Sequence, residues 1–403
     1  MLLTLPATLL PLLLTLTPTR AYKPLSDAFL RALPSPNNTL SAKDSSLLSP
    51  LLIPRVPGTP GQTLAQHHLY AYFSKELPAW SLTWQNSTSV TPTSSTPLPF
   101  ANLIARREPP WVAPGQANLL TLVAHYDSKL HPDGFIGATD SAAPCAMLMY
   151  VASVLDPHIT RMYEEMSALG EGGDVDMDMG IQIVFLDGEE AFETWSDSDS
   201  LYGARYVSPS SMPINSYQGR SKLHGIVILT QQHRALATHW STTFNPPSPA
   251  SKFYQNRTPL SQISLFLLLD LLGSASPLVP SYFPTTHWAY VHLSTIESRL
   301  RSLKLLESSP STPFLPDANG TMGHGGISDD HLPFMAKGVE ILHVIPSPFP
   351  GVWHTMEDDG EHLDGATVRD WARIVGAFAL EWLDMMEVWD EPEEATAGKR
   401  WLA

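Results

Sequence analysis

Four short, mostly apolar runs constrain the fold of this chain more than any other feature of its sequence. They occupy residues 119–124, 181–186, 263–269 and 339–345. Each has the length of a β-strand, and none shows the regular polar alternation of a strand with one solvated face. Such runs are typical of strands that helices bury on both faces. Helical periodicity lies around them, at residues 64–77, 141–155, 287–306 and 367–383. The alternation predicts a three-layer α/β/α sandwich with a mixed, mostly parallel central sheet.

The remaining segments predict a single catalytic domain over residues 46–390. A polar stretch at 22–45 predicts a loosely held arm before it, and polar residues 391–403 predict a flexible tail after it. Within the domain, a Ser/Thr/Pro-rich stretch predicts an irregular loop at 86–97. Polar stretches near 165–180 and 208–260 predict surface insertions.

Charge and cysteine content narrow the possible chemistry. The 403 residues carry 24 Lys+Arg against 40 Asp+Glu, a formal net charge of −16, and no basic block. Nucleic acid and anionic membrane surfaces are therefore excluded as expected partners. Cys145 is the one cysteine, so neither an intramolecular disulfide nor a thiolate zinc site is available. Any bound metal must use histidine and carboxylate ligands.

The N-terminus predicts secretion. Residues 1–21 hold a short apolar stretch that ends in small residues, the pattern of a cleaved signal peptide. The alternative is an apolar tail or an uncleaved anchor. Sequons for N-glycosylation stand at Asn37, Asn86, Asn256 and Asn319. We therefore expect a secreted glycoprotein that is not bound to a membrane once the signal peptide is removed.

Titratable residues follow the four apolar runs. His125 comes after the first, Glu189 and Glu190 after the second, Asp270 after the third and His354 after the fourth. The carboxyl ends of parallel strands meet at one edge of a sheet, so these groups should lie close together. Singly, such residues are more often helix caps or solvated charges. Together with the loop residue Asp140 they have the chemistry of a thiol-free zinc site.

The adjacent Glu189 and Glu190 are suited to two different roles. Neighbouring side chains diverge at the end of a strand, so one carboxylate can bind a metal while the other faces the substrate. The free carboxylate can then carry a proton to and from the group that the metal polarises. A second carboxylate beside it raises its pKa towards neutral pH.

A set of motifs in order resembles the glutaminyl cyclases, which are glutaminyl-peptide cyclotransferases built on the zinc aminopeptidase fold. The motifs are His125-Tyr-Asp-Ser-Lys129, Gly137-Ala-Thr-Asp-Ser-Ala142, Asp187-Gly-Glu-Glu-Ala-Phe192, Asp329-Asp-His-Leu-Pro-Phe334, His343-Val-Ile-Pro-Ser-Pro-Phe-Pro350 and Val352-Trp-His-Thr-Met356. The resemblance runs from about residue 45 to about residue 388. It implies one zinc ion per chain, bound by Asp140, Glu190 and His354, and Glu189 as the general acid/base.

The resemblance also implies the surroundings of that centre. Asp270 and Asp329 would form a buried carboxylate network beside Glu189, and His343 would support Asp329 or the pocket wall. The glutaminyl side chain would be held by Trp195, Ile327, Phe349 and Trp353. Animal members commonly pair a cysteine at the position of Ala124 with the one matching Cys145, a bridge that this chain lacks.

The implied reaction is cyclisation of N-terminal glutamine to pyroglutamate, with N-terminal glutamate as a further candidate substrate. Peptides and proteins that begin with glutamine would be the partners, and we expect a monomer. One alternative is a two-metal zinc aminopeptidase, in which His125 and Asp270 would supply extra ligands. The other is an inactive binding module on the same fold, although the complete ligand set argues against it.

Overall fold

A computed structural model describes residues 24–170, 178–205, 236–246, 257–319 and 326–383. Within these residues, six strands form one sheet: β1 (Ser81–Thr91), β2 (Ser94–Arg107), β3 (Asn118–His125), β4 (Met179–Leu186), β5 (Ile263–Leu269) and β6 (Ile341–Val344). Their order in the sheet is β1-β2-β4-β3-β5-β6. The β4-β3, β3-β5 and β5-β6 pairs are parallel, and β2 is antiparallel to both β1 and β4. The predicted mixed, mostly parallel sheet is confirmed.

Helices cover both faces of the sheet and complete three layers. They are α1 (Asp27–Ala32), α2 (Pro60–Glu76), α3 (Ala143–Leu169), α4 (Leu236–Thr242), α5 (His287–Ser302), α6 (Leu332–Met335) and α7 (Gly365–Trp382). The larger core cluster joins α2, α3, α5 and α7 to one face of the sheet, and the smaller one joins α4 and α6 to the other. By length and composition α3 could cross a bilayer, but 94% of its apolar window is buried inside the fold.

Alternate residues of each central strand enter different cores, which explains the apolar runs. In β5, Leu265, Leu267 and Leu269 belong to the larger cluster, whereas Phe266 and Leu268 belong to the smaller one. Because neither face meets water, neither set of side chains can be polar without cost. The parallel pairing then places the carboxyl ends of β3 to β6 at one edge of the sheet.

The prediction of an irregular loop at residues 86–97 was wrong. These residues belong to the β1–β2 hairpin, whose register pairs Ser87 with Phe100 and Thr88 with Pro99. The run of serine and threonine suits an edge strand, because β-branched threonine favours the extended backbone and hydroxyls tolerate a solvated face. The sequon residue Asn86 therefore lies in a strand, with its side chain exposed.

The expectation of a loosely held arm was also wrong for the described part of residues 22–45. Leu25, Phe29 and Leu30 are each 1% exposed and belong to the larger core. The Leu25 amide donates to Glu381 Oε1 on α7 at 2.8 Å. The stretch is polar overall, but a few apolar side chains within it pack into the core and hold it there.

Several predictions fall wholly or partly outside the described residues. They are the signal peptide at 1–21, the sequon at Asn256, part of the sequon at Asn319, the tail at 391–403, and parts of the insertions near 165–180 and 208–260. Within the described residues, α3 continues through Leu169 into the first of these insertions.

Candidate active site

The carboxyl edge of the sheet holds a cavity of about 490 Å³ that nine of the eleven predicted site residues line. They are Asp140, Glu189, Glu190, Trp195, Asp270, Ile327, Phe349, Trp353 and His354. The other two, Asp329 and His343, are buried next to the wall, where His343 Nε2 lies 2.7 Å from Asp329 Oδ2. The structure thus brings the predicted residues into one place.

Asp140, Glu190 and His354 form what we call the open cluster. His354 Nε2 lies 3.4 Å from Asp140 Oδ2 and 3.8 Å from Glu190 Oε2. Ligand atoms around one tetrahedral zinc ion stand about 3.4 Å apart, given metal–ligand bonds of about 2.0–2.2 Å. The spacing therefore suits a single metal ion.

The hydrogen bonding of the open cluster also suits a metal. Glu190 Oε1 is buried and has no hydrogen-bond partner. Burial and the nearby Asp140 carboxylate raise the pKa of Glu190 well above its usual value, although Lys129 opposes them. Two crowded carboxylates and an unsatisfied buried oxygen are costly, and a divalent cation bound between them would offset that cost. The residues present therefore fit a zinc ion.

A second group, His125, Asp127 and Asp270, forms what we call the closed cluster. His125 Nδ1 lies 3.3 Å from Asp127 Oδ1, and Nε2 lies 3.0 Å from Asp140 Oδ1 and 3.4 Å from Asp270 Oδ1. Burial alone would lower the pKa of His125, but the carboxylates outweigh it and hold the pKa well above its usual value. The imidazolium form that they favour has no free lone pair for a metal.

Glu189 lies in the same cavity as the open cluster and is 6% exposed. Burial raises its pKa well above the usual value, and the charges of Asp329 and Glu190 add to this effect while His125 opposes it. A carboxyl group with a raised pKa can hold a proton near neutral pH and release it again. The geometry and the charge around Glu189 therefore suit a proton carrier.

Asp270 and Asp329 provide buried charge beside Glu189. Asp270 Oδ1 accepts hydrogen bonds from the Ser141 hydroxyl and from the Leu271 amide, the latter at 2.8 Å. Burial and the charge of Asp329 raise the pKa of Asp270. Burial lowers the pKa of His343 to about 4, so His343 is neutral and its Nε2–H can donate to Asp329.

Aromatic side chains form the mouth and wall of the cavity. Trp195 and Trp353 are 40% and 38% exposed, which places both at the rim. The Trp353 ring stacks on His354 with centroids 3.9 Å apart, and Phe349 meets Trp353 edge-on at 4.8 Å. Phe349 and Ile327 pack on an apolar cluster below. Phe349 packs on that cluster and also lines the cavity, whereas the two exposed rings have surface free for a ligand at the entrance.

Asp127 is a positioning residue to which no role was assigned from sequence. Its Oδ1 accepts the Glu189 amide at 3.0 Å, and its Oδ2 accepts the Glu190 amide at 3.2 Å. One carboxylate therefore fixes the backbone of both glutamates and also contacts His125. Its place in the motif after β3 was the signal for this role.

Arg55 is fully buried, and no role was predicted for it from sequence. Its guanidinium donates to the carbonyls of Tyr126 and Ile136, the latter at 2.8 Å, and to that of Gly137 at 3.2 Å. Arg55 therefore ties the end of β3 to the turn that carries Asp140. No sequence pattern distinguishes a cation that binds only carbonyls from one that is solvated.

Cys145 is a buried free thiol, as expected from the absence of a cysteine at the position of Ala124. Its Sγ lies 3.1 Å from the carbonyl oxygen of His125, to which the thiol donates. Burial raises the pKa of Cys145 to about 12, so the thiol stays neutral and unreactive.

Comparison with known proteins gives one family. The model for peptidase family M28 matches residues 102–222 and 249–379, which include both clusters. A glutaminyl-peptide cyclotransferase-like protein of Bos taurus is 35% identical over 344 residues, which are 85% of this chain and 75% of the relative. The glutaminyl-peptide cyclotransferase of Bos taurus is 35% identical over 343 residues, 84% of this chain and 81% of the relative. The crystal structure of Macrostomum lignano glutaminyl cyclase superposes with a TM-score of 0.68 at 28% identity, covering 90% of this chain and 95% of that one.

Proposed function

Because the chain belongs to the glutaminyl-peptide cyclotransferases of peptidase family M28, we propose that it converts N-terminal glutamine of peptides and proteins into pyroglutamate with release of ammonia. The observation that carries the proposal is that Glu189, a buried carboxyl group with a raised pKa, shares one cavity with the open cluster. That arrangement supports Glu189 as the proton carrier for a substrate whose γ-carbonyl would be polarised at the open cluster.

The reaction is an intramolecular aminolysis. The neutral α-amine of the substrate attacks its own γ-carbonyl carbon, a new carbon–nitrogen bond forms, and the bond to the side-chain amide nitrogen breaks. Glu189 takes a proton from the attacking amine and delivers it to the departing nitrogen, which leaves as ammonia. No other reactant is needed, and Glu189 returns to its starting state.

One zinc ion per chain would be held by Asp140, Glu190 and His354. When bound, it supplies a Lewis acid for the γ-carbonyl oxygen. The side chains of this protein provide orientation: Phe349 and Ile327 offer an apolar wall for the methylene groups, and the exposed rings of Trp195 and Trp353 line the entrance. Ring closure requires a folded side chain, so a pocket that restricts the side chain accelerates it.

The closed cluster favours cyclisation over two-metal peptide hydrolysis. If the protein were a two-metal aminopeptidase, a second metal would be held by His125, Asp140 and Asp270. Here His125 lies within 3.4 Å of three carboxylates, and Asp270 already accepts two hydrogen bonds. These contacts use the groups as a hydrogen-bonded ion cluster, which supports one metal rather than two.

The direct test is incubation with a Gln-initiated peptide and measurement of the product mass. Loss of ammonia with retention of every residue is the expected result. An N-acetylated form of the same peptide is the matched control, because its blocked amine cannot attack. Release of the first residue, particularly from a peptide with N-terminal leucine, would instead identify an aminopeptidase.

We further propose that the protein enters the secretory pathway, loses residues 1–21 and acts as a monomer without membrane attachment. The exposed side chains of Asn37 and Asn86 are compatible with glycosylation. Sequencing of the N-terminus of protein recovered from culture medium tests the cleavage. Recovery only from the cytosol with Met1 in place would contradict it.

A further inference from the structure

Two of the three proposed metal ligands lie on separate turns that meet at one buried carboxylate. Asp140 follows the turn after Gly137, and His354 lies in the turn that ends at Asp358. We propose that Asp358 is a positioning residue that holds these two turns together and thereby sets the metal affinity of the open cluster. The inference rests on the proposed metal site and assigns a role to a residue outside it.

Asp358 accepts hydrogen bonds from two adjacent backbone amides of the Asp140 turn. Its carbonyl oxygen accepts the Ala138 amide at 3.0 Å, and its Oδ1 accepts the Thr139 amide at 2.7 Å. The side chain lies in the protein interior, with the residue 1% exposed. Because water cannot replace a buried acceptor, loss of the carboxylate would leave the Thr139 amide unsatisfied.

The Asp140 turn needs external support because its backbone is irregular. Gly137 has φ +65°, and a Cβ there would lie 2.1 Å from the Asp140 carbonyl oxygen, so only glycine fits. Asp140 itself has φ −119° and ψ 74°, outside the helical region. Arg55 binds the Gly137 carbonyl on one side of the turn. Asp358 binds the amides on the other side, so the turn is held between them.

The same residue is joined to His354 through a short hydrogen-bonded turn. The Asp358 amide donates to the Thr355 carbonyl at 3.1 Å, and the Thr355 amide donates to the Val352 carbonyl at 3.0 Å. His354 has φ +56°, a left-handed conformation that is strained for a residue with a Cβ. Such a conformation persists only where its surroundings hold it, and Asp358 anchors one end of the turn.

Metal affinity is the quantity that this role changes. Residues that orient metal ligands typically contribute about 10- to 100-fold to affinity. Asp358→Ala should therefore weaken zinc binding about 10- to 100-fold, measured by competition with a chelator. Asp358→Asn keeps an oxygen acceptor for the Thr139 amide and should restore affinity to within a few-fold of the native protein.

A matched control lies next in the chain. The Asp359 carboxylate accepts the amides of Glu361 and His362 through its Oδ1, so its hydrogen bonds lie within its own loop. Asp359→Ala should leave zinc affinity unchanged. If Asp358→Ala fails to fold, Asp358→Ser is the substitute, since its shorter hydroxyl leaves the Thr139 amide without a direct acceptor.

Three results would overturn the inference. The first is that the Asp358→Ala or Asp358→Ser variant binds zinc as tightly as the native protein does. Even if its melting temperature were lower, this result would show that Asp358 supports only the stability of the fold. The second is that the Asp358→Asn variant binds zinc as weakly as the alanine variant does. In that case the negative charge of Asp358, and not its hydrogen bond to the Thr139 amide, would determine the zinc affinity. The third is that substitution of His354 leaves the zinc affinity unchanged, which would show that zinc does not bind at the open cluster. Because zinc binding is measured without turnover, a failure to cyclise peptides would refute the proposed function separately.

Discussion

The open and closed clusters contain the same kinds of side chain and share a boundary at Asp140, yet their hydrogen bonding differs. In the closed cluster, both nitrogens of His125 face carboxylates at 3.0–3.4 Å. In the open cluster, Glu190 Oε1 is buried without a partner, and the His354 side chain is 27% exposed. Paired charges support the fold, whereas unpaired buried polar atoms indicate a place for a ligand. Residue type alone does not separate the two cases.

The largest expected effect concerns Glu189, which borders the open cluster without belonging to it. Glu189→Gln should lower turnover by about 10²–10⁴-fold, because glutamine cannot carry the proton. Zinc content and folding should remain native, since the change is nearly isosteric and Glu190 is intact. Turnover and metal content of the same preparation provide the measurement.

Glu193→Gln is the matched control, because Glu193 is exposed on the segment that follows the glutamate pair. It should retain native turnover. Near-native activity of Glu189→Gln with zinc bound would remove Glu189 from the mechanism. Loss of zinc in that variant would show instead that Glu189 and Glu190 have exchanged roles.

A pair of histidine substitutions compares the two clusters directly. His354→Ala should weaken zinc binding by at least about 100-fold, because it removes a metal ligand. His125→Asn should instead lower the free energy of unfolding by about 3–5 kcal/mol, since it leaves buried carboxylates without their cation. Chelator competition and denaturant unfolding on both variants separate the outcomes. The reverse pattern would show that the metal binds in the closed cluster.

The pH dependence of activity sharpens the assignment of protons. The attacking α-amine must be neutral, and free peptide amines have a pKa of about 7.7–8.0. The kcat/KM should therefore rise about 30- to 50-fold from pH 6 to pH 8. Zinc content measured at both ends shows that the open cluster is occupied throughout. A flat profile with zinc retained would contradict attack by the free amine.

The smallest expected effect concerns Asp187, which lies behind the site. Burial and the charge of Asp127 raise its pKa to about 8. An unfolded aspartate releases its proton near pH 4, whereas the folded one keeps it to about pH 8, so stability falls as pH rises across that interval. Asp187→Asn should gain stability relative to the native protein as pH rises from 5 to 8, because only the native protein has an aspartate at this position whose deprotonation lowers stability across that interval. A difference in unfolding free energy that does not change with pH would contradict the raised pKa.

Much of the sheet was predictable because burial on both faces leaves a direct imprint on a sequence. The runs that became β3 to β6 are apolar for that reason. The β1–β2 hairpin was missed because an edge hairpin is held by backbone pairing, which serine and threonine serve as well as valine does. The arm at residues 22–45 was misjudged because only Leu25, Phe29 and a few others dock.

The residues of the site were predictable from sequence, but the different roles of the open and closed clusters were not. Order along the chain placed Asp140, Glu190 and His354 together, because strand ends converge. It could not show that His125 is enclosed by carboxylates, because that depends on distances across β3, β5 and the Asp140 turn. The motif after β3 included Asp127 but did not show its contacts, and nothing in the sequence singled out Asp358, because both carboxylates bind backbone amides, which residue identity does not reveal.

The most direct test of the account is a zinc titration of the metal-free protein, with ammonia release from a Gln-initiated peptide followed at each step. We expect ammonia release to reach its maximum at one zinc ion per chain, with the pyroglutamyl peptide as the only product. Activity that appears only with a second equivalent of zinc, accompanied by release of the first residue, would contradict the account.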